Sequence, residues 1–264
     1  DRTDYPHQKP MTRVKICGIR QLDHALVAAE AGADYIGLVF VPGRRRRMEV
    51  EAAREIVSMI KALGSTLDGS NIPGSTAPAS NIPHVVGLFA DQPVAEVNQV
   101  VKSCGLDLVQ LCGRESLDYC QQVETQVIKV LHVPIYADSV RPELVERQGD
   151  ARGSTGLAPA GLAYTDLVGG LEQAVQAHTK VGHLVTLDRL VDGLQGGTGQ
   201  SFDWTIAAQL SQQGHEFLLA GGLDPDNVAQ AVAEVNPWGV DVSSGVETDG
   251  MKDPDKIREF FKNV

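Results

Sequence analysis

The stretch RVKICGIRQLDHALVAAEAGADYIGLVF, residues 13–40, contains a strand, a helix and a second strand in direct succession. RVKIC (13–17) and DYIGLVF (34–40) are short apolar runs, typical of strands that are buried on both faces of a parallel sheet. Between them, QLDHALVAAEAG (21–32) carries apolar residues at helical spacing and ends on a glycine. Two strands joined by a crossover helix predict one βαβ unit.

The same alternation continues through the whole chain of 264 residues. Further strands are predicted at 85–89, 106–111, 126–133, 183–187, 216–220 and 239–244, and further helices at 49–64, 93–105, 115–124, 202–214, 224–235 and 254–263. Eight strands, seven of them followed by a predicted helix, favour an α/β fold of the (β/α)8 TIM barrel type. The alternative, a doubly wound sheet, would be expected to carry GxGxxG after its first strand, where this chain has CGIR.

The chain is predicted to be one domain with a tail and two insertions. Residues 1–11 are polar and form a tail or linker, and residues 12–264 form the barrel. Segments rich in Gly, Ser and Pro at about 64–83 and 147–170 interrupt the rhythm and predict two loop insertions.

Composition excludes several classes of partner. The chain has 34 acidic and 23 basic residues, a net charge of −11, so nucleic acid and membrane partners are not expected. No apolar run is long enough to span a membrane. The chain has four scattered cysteines, which predict reduced thiols and a cytoplasmic protein. It has no CxxC pair and no Cys/His spacing of a zinc site, so no bound metal is predicted.

Catalytic residues of such barrels lie at the carboxyl ends of the strands. Cys17 ends the first strand on the same face as Lys15, whose ammonium is predicted to lower the pKa of the thiol and make it a general base. Asp188 follows the apolar run LVTL and is a candidate general acid. The alternatives are an inert buried cysteine and an ordinary loop carboxylate. Gln110, at the end of strand four, is a further candidate for substrate binding.

Glycine-rich turns after strands six, seven and eight predict a phosphate site. They are GGTG (196–199), AGGL (220–223) and DVSSGVE (241–247), and their backbone N–H groups can approach an anion closely. The candidate residues are Gly197, Gly221, Gly222, Ser243, Ser244 and Gly245. Each turn taken alone could simply reverse the chain. The run Arg44–Arg47 is either a solvated charge cluster or a clamp for a carboxylate or phosphate.

Six motifs together resemble the phosphoribosylanthranilate isomerase family. They are VKICGI, the FVP…R stretch of 40–46, DLVQLCG, the LD…GGTGQSFDW stretch, AGGLDPDNV and VDVSSGVE. They occur in the family's order, and the similarity spans about 12–264 apart from the two insertions. The insertions and the tail are similar to fungal versions, in which this domain is fused to other tryptophan-pathway domains.

The resemblance implies an Amadori rearrangement of N-(5-phosphoribosyl)anthranilate, an aminoaldose, to the aminoketose 1-(2-carboxyphenylamino)-1-deoxyribulose 5-phosphate. It implies Cys17 as the base, Asp188 as the acid and Arg46 as the contact to the anthranilate carboxylate. Gly222, Asp241 and Ser243 fall in the family's phosphate-binding positions. The partner is a small phosphosugar substrate, and neither a metal nor an organic cofactor is implied.

Two departures from the family pattern concern substrate contacts. Cys112 stands where the family usually has histidine, and Arg47 stands where an aromatic residue or threonine often follows the clamp arginine. Two other functions compete with the isomerase. Indoleglycerol phosphate synthases depend on lysines and glutamates at strand ends, which this chain lacks in the needed places. A non-catalytic phosphate-binding domain would need neither Cys17 nor Asp188.

Overall fold

The computed structural model describes residues 12–66, 82–133, 164–189 and 204–264. Within these ranges eight parallel strands pair in chain order, and the first also pairs with the last, so the sheet closes. The predicted (β/α)8 TIM barrel is confirmed. The barrel strands are β1 (Arg13–Cys17), β2 (Tyr35–Val39), β3 (His84–Phe89), β4 (Leu108–Leu111), β5 (Gln126–Val133), β6 (Leu184–Arg189), β7 (Leu218–Leu219) and β8 (Gly239–Val242).

Helices alternate with these strands and cover the outside of the barrel. They are α1 (Leu22–Ala31), α2 (Val50–Thr66), α3 (Val94–Cys104), α4 (Leu117–Cys120), α5 (Tyr164–Thr179), α6 (Thr205–Gln212), α7 (Val228–Val235) and α8 (Pro254–Asn263). After β8 comes a 3-10 turn, Ser244–Val246, and then a short antiparallel pair, β9 (Glu247–Thr248) and β10 (Met251–Lys252).

The apolar side chains form two separate clusters because each strand has two buried faces. The larger cluster fills the space between the sheet and the helices. The smaller one lies inside the barrel and contains Cys17, Tyr35, Val39, Val86, Leu88, Leu108, Ile128 and Leu218. Burial on both faces explains why the strands read as continuous apolar runs.

Glycine, aspartate and proline residues at several helix ends have the conformations and hydrogen bonds that are typical of helix caps. Gly32 ends α1 with a φ of 102°, which disfavours a side chain. The Asp253 carboxylate accepts the N–H groups of residues 255 and 256 at the start of α8, with Pro254 in the first position. Asp224 accepts N–H groups in the turn before α7, and the helix itself begins four residues later than predicted, at Val228.

Helix α5 occupies residues 164–170, which the sequence analysis assigned to the second insertion. Val168 and Val175 are buried, and Leu171 packs against the core. Tertiary packing outweighs the low helix propensity of the paired Gly169 and Gly170. The tail at 1–11 and most of both predicted insertions, namely 67–81 and 147–163, lie outside the described residues.

In the described ranges, no helix has the length and apolar character that crossing a membrane requires.

Candidate active site

The carboxyl ends of the strands bring the two predicted catalytic groups to one end of the barrel. Cys17 is the last residue of β1, and Asp188 is the next to last of β6. The charge of Asp241 acts on both groups, and the thiol of Cys112 lies within electrostatic range of both. We call this end, with Cys17, Asp188, Asp241, Gln110 and Cys112, the barrel mouth.

A buried ion pair joins Asp241 of the mouth to Lys15, which lies deeper in the barrel. Lys15 Nζ is 2.8 Å from Asp241 Oδ2, and the lysine side chain is completely buried. Burial opposes the charge of Lys15, but the Asp241 carboxylate outweighs it and raises the pKa of Lys15 above its usual value. The other carboxylate oxygen, Asp241 Oδ1, is buried and accepts no hydrogen bond in the described part of the protein.

Cys17 departs from the sequence prediction in its ionisation. Burial raises the pKa of the thiol above its ordinary value, although the neighbouring Lys15 ammonium acts in the opposite direction. The prediction of a lowered pKa was wrong because it counted the lysine charge and left out the depth of the site. The free protein therefore holds Cys17 mainly as a thiol at neutral pH.

Asp188 retains its proton more readily than an ordinary aspartate. Burial raises its pKa, His132 opposes that shift, and the Asp241 charge adds to it. Its Oδ1 accepts the N–H of Arg189 at 2.8 Å. Gly221 lies against this carboxylate with a φ of 94°, and a Cβ there would come within 3.1 Å of Oδ1. A small residue is required beside the acid.

Strand β4 brings a second unpartnered acceptor to the mouth. Gln110 donates from Nε2 to Cys112 Sγ at 3.6 Å, whereas its buried Oε1 has no partner among the described residues. Burial raises the pKa of Cys112 to about 12, so this thiol stays neutral. The neutral Cys112 lies within electrostatic range of the two catalytic candidates.

The loops after β7 and β8 interlock around the predicted phosphate position. A Cβ on Gly245 would collide with the backbone oxygen of Leu223, so only glycine fits there. Ser243 Oγ donates to the Cys17 carbonyl at 3.0 Å, and Lys252 Nζ donates to the Ser243 carbonyl at 2.7 Å. Gly222 has a φ of 83° and open space around it. Ser244 begins the 3-10 turn that follows, and Gly197 lies outside the described residues.

Arg46 makes a two-pronged contact with a carboxylate of its own chain. Its Nε and terminal nitrogen donate to the two oxygens of Glu247 at 2.6 and 2.8 Å. Burial acts to raise the pKa of Glu247, but Arg46 and Lys252 outweigh it and hold that pKa at about 2. A Cβ on Gly18 would lie 2.5 Å from Arg46 Cδ, so the arginine passes over the turn that follows Cys17.

Sequence reasoning missed Glu247 and Lys252 as parts of this site. Glu247 closes the quoted motif VDVSSGVE, but no local pattern pairs it with Arg46, which lies 201 positions earlier in the chain. The sequence contains no signal for Lys252, because the turn and short strand pair that bury it after β8 have no local pattern. No metal cluster forms at the mouth in the described ranges, where one group of three potential ligands occurs elsewhere in the barrel.

Comparison with known proteins agrees with this geometry. The family model described as N-(5'phosphoribosyl)anthranilate (PRA) isomerase matches residues 75–151 and 167–263. An N-(5'-phosphoribosyl)anthranilate isomerase of Dehalococcoides mccartyi is 38% identical over 254 residues, which cover 96% of each chain. A multifunctional tryptophan biosynthesis protein of Phycomyces blakesleeanus is 36% identical over 98% of this chain and 34% of its own length.

Solved structures give the same result. The crystal structure of phosphoribosyl anthranilate isomerase from Thermotoga maritima superposes with a TM-score of 0.69 and 30% sequence identity, covering 96% of this chain and 98% of that one. The family model covers more than half of the chain, and the curated relatives match almost all of it. The chain therefore belongs to the N-(5'-phosphoribosyl)anthranilate isomerase family.

Proposed function

We propose that Cys17 and Asp188 carry out the reaction of this family at the barrel mouth. That reaction converts N-(5-phosphoribosyl)anthranilate to 1-(2-carboxyphenylamino)-1-deoxyribulose 5-phosphate in tryptophan biosynthesis. The observation that carries the assignment is that Cys17 and Asp188 lie at the carboxyl ends of two strands of one closed parallel barrel, and therefore at the same end of it. The chain needs one group that gives a proton and one that takes a proton, and these two occupy the ends of β1 and β6.

In the first step Asp188 gives its proton to the furanose ring oxygen, and the C1–O bond breaks to leave a Schiff base. Burial raises the pKa of Asp188, so a larger fraction of the carboxyl carries the proton that this step needs. The substrate's own nitrogen takes up the positive charge. No metal ion is required by this sequence of steps.

In the second step Cys17 removes the proton on C2, and the resulting enolamine relaxes to the ketone. This step needs the thiolate, which burial disfavours and which the ammonium groups of Lys15 and Lys252 favour. The reactive form, with a protonated Asp188 and an ionised Cys17, is consequently a minority of the free enzyme. The two lysines set how large that minority is.

The acid and base roles are tested by Cys17→Ala and Asp188→Asn. Loss of a general base or acid should lower kcat by roughly 10²- to 10⁴-fold while the circular dichroism spectrum stays unchanged. Cys104→Ala and Asp255→Asn are matched controls, since Cys104 packs in α3 and Asp255 is exposed in α8. Full turnover by Cys17→Ala would overturn the assignment of the base.

Substrate binding is assigned to the groups around the acid and the base. Arg46 exchanges Glu247 for the anthranilate carboxylate, which has the same two-oxygen geometry. Asp241 Oδ1 and Gln110 Oε1 accept from sugar hydroxyls. The phosphate is assigned to the backbone of the loops at Gly221–Gly222 and Ser243–Gly245, together with Gly197.

Arg46→Gln tests the clamp. A lost hydrogen bond to a charged group is worth ~1.5–3 kcal/mol, which corresponds to a KM about 10- to 100-fold higher. Arg47→Gln removes the neighbouring, half-exposed arginine and should leave KM unchanged. An unchanged KM in Arg46→Gln rejects the clamp. For the phosphate loops, the test is a crystal grown with inorganic phosphate, where an anion bound elsewhere contradicts the assignment.

A fungal-type chain, fused in its native form to other tryptophan-pathway domains and located in the cytoplasm, is part of the proposal. The Phycomyces relative supports it, because the matched region is 34% of that longer protein. The Dehalococcoides relative, which this chain covers almost completely, is not such a fusion. Detection of the native polypeptide with an antibody against this chain separates the two arrangements by mass.

A further inference from the structure

Three side chains that the reaction does not use meet at the end of the barrel opposite the mouth. Cys120 is the last residue of α4, His178 lies in the last turn of α5, and His183 directly precedes β6. All three are buried. One ligand atom from each lies within 4.8 Å of the other two, and no other trio of His, Cys, Asp or Glu in the described ranges does so.

The two imidazoles already have nearly the separation that a shared metal ion imposes. Their Nδ1 atoms are 3.1 Å apart. Two nitrogen ligands at the usual distance from a tetrahedral Zn²⁺ are roughly 3.3 Å apart. The separation of the two nitrogens therefore needs to change by only a few tenths of an ångström, and each ring has to rotate so that its lone pair faces the ion. The wider spread of the three ligand atoms leaves room for the longer bond to sulfur.

The chemistry of the donors selects the kind of ion. A thiolate and two imidazoles suit Zn²⁺ and its neighbours among the divalent transition metals, whereas Mg²⁺ and Ca²⁺ require oxygen ligands. A fourth position is accessible because His178 borders a cavity of about 580 Å³ that Leu171 and Ala174 also line. A water molecule in that cavity would complete a tetrahedron.

We propose that Cys120, His178 and His183 form a site for Zn²⁺ or a chemically similar divalent transition-metal ion, with water as the fourth ligand. The site lies at the far end of the barrel from Cys17 and Asp188, so it acts on the fold and takes no part in the isomerisation. One bound ion would link α4, α5 and the start of β6, because each of these elements supplies one of its ligands.

Proton balance follows from the state of each ligand. Burial lowers the pKa of His178 to about 4, and it lowers the pKa of His183 as well, so both rings are neutral at pH 7. Metal binding moves the proton shared between the two Nδ1 atoms to an Nε2 and releases none. Burial raises the pKa of Cys120, so the thiol is protonated before binding and its proton leaves when the metal–sulfur bond forms.

The decisive measurement uses Co²⁺ and Zn²⁺ on the whole, metal-free chain. Co²⁺ should bind at one equivalent and give the visible bands of a tetrahedral ion together with a thiolate-to-cobalt charge-transfer band. Titration calorimetry with Zn²⁺ in buffers of different ionisation enthalpy should show release of about one proton at pH 7. Absence of the charge-transfer band or of proton release overturns the proposal without any variant.

Variants locate the ligands. Cys120→Ser should abolish the charge-transfer band, and Cys120→Ser and His183→Gln should each weaken Zn²⁺ binding at least ~100-fold. Cys104→Ser is the matched control and should retain the band, because Cys104 lies outside the cluster. Retention of the band in a Cys17→Ser/Cys112→Ser chain is also expected. Its loss there would assign the metal to the mouth and refute the site.

Discussion

Two of the buried lysine–carboxylate pairs in the described part of the barrel have nearly equal lengths but differ in how completely their polar atoms are satisfied. Lys15 is 2.8 Å from Asp241, and Lys129 is 2.7 Å from Glu115. Lys129 also donates to the carbonyls of residues 111 and 113, and Glu115 also accepts N–H groups of residues 91 and 113. The first pair leaves Asp241 Oδ1 without a partner.

We expect the Lys129–Glu115 pair to support the fold and the Lys15–Asp241 pair, which lies at the proposed active site, to support the reaction. The second pair fixes the loop after β4 through several backbone hydrogen bonds, and each of these is lost if the pair is removed. The first pair leaves one acceptor open at the mouth, where it can meet a ligand. A buried polar atom without a partner is costly, and its presence beside the acid and the base indicates a binding role.

Removing both members of each pair gives the largest expected contrast. Glu115→Leu/Lys129→Met should lower the free energy of unfolding by ~3–5 kcal/mol, because several backbone groups lose their partners. Lys15→Met/Asp241→Leu should change it by less than ~1 kcal/mol or raise it, since an apolar replacement of a buried ion pair is often neutral. Urea unfolding measures both, and equal losses would remove the distinction.

The region of the second pair should also show the stronger dependence of stability on pH. The folded protein holds the pKa of His178 at about 4, through burial and the charges of His183 and Lys129, whereas the unfolded chain has a value near 6.5. Below pH 6.5 the His178 imidazole is therefore protonated in the unfolded chain but still neutral in the folded protein. The free energy of unfolding should fall by roughly 2–3 kcal/mol between pH 6.5 and 4 and then level off.

Urea unfolding with a chelator present tests this, and His178→Gln should flatten the slope in that window. The contribution of Glu247, whose pKa is held at about 2, is lost only between pH 4.5 and 2, so the two windows share no more than the interval between pH 4.5 and 4. A slope that persists in His178→Gln would contradict the assignment.

The smallest predicted effect concerns the open pair and the pH dependence of the reaction. The form with ionised Cys17 and protonated Asp188 is most populated between the two pKa values, so the acid limb of kcat/KM follows the lower one, that of Asp188. The Asp241 charge raises the pKa of Asp188. Asp241→Asn should therefore move the acid limb to lower pH. Glu115→Gln is the control. If the acid limb of kcat/KM stays at the same pH in Asp241→Asn, the Asp241 charge does not influence the pKa of the catalytic acid.

The sequence was sufficient to predict the barrel and the residues at the ends of its strands. It was much less informative about properties that depend on how deeply a side chain is buried. The common location of Cys17 and Asp188 could be predicted because the carboxyl ends of all strands in a parallel barrel lie at the same end; their catalytic roles stay a prediction. The pKa direction of Cys17 was wrong because alternation along a strand shows which residues share a face and not how far they lie from water. The start of α5 was missed because two adjacent glycines hid its apolar face.

Contacts between distant units were also beyond the sequence. Nothing in the spacing of Cys120, His178 and His183 indicates that α4, α5 and β6 bring them together. The pairing of Arg46 with Glu247 joins the loop after β2 to the turn after β8 in the same way. In both cases the closed sheet supplies the proximity, and local patterns carry no trace of it.

Closure of the sheet has a consequence for how the enzyme is made. The bonds from Lys15 to Asp241 and from Ser243 to the Cys17 carbonyl each join residues 226 positions apart. A nascent chain that has not yet emerged through its final strand lacks the partner for Lys15 and the support beneath the turn that follows Cys17. We expect partly synthesised or C-terminally truncated chains to be inert, so that competence arises in a single late event during translation.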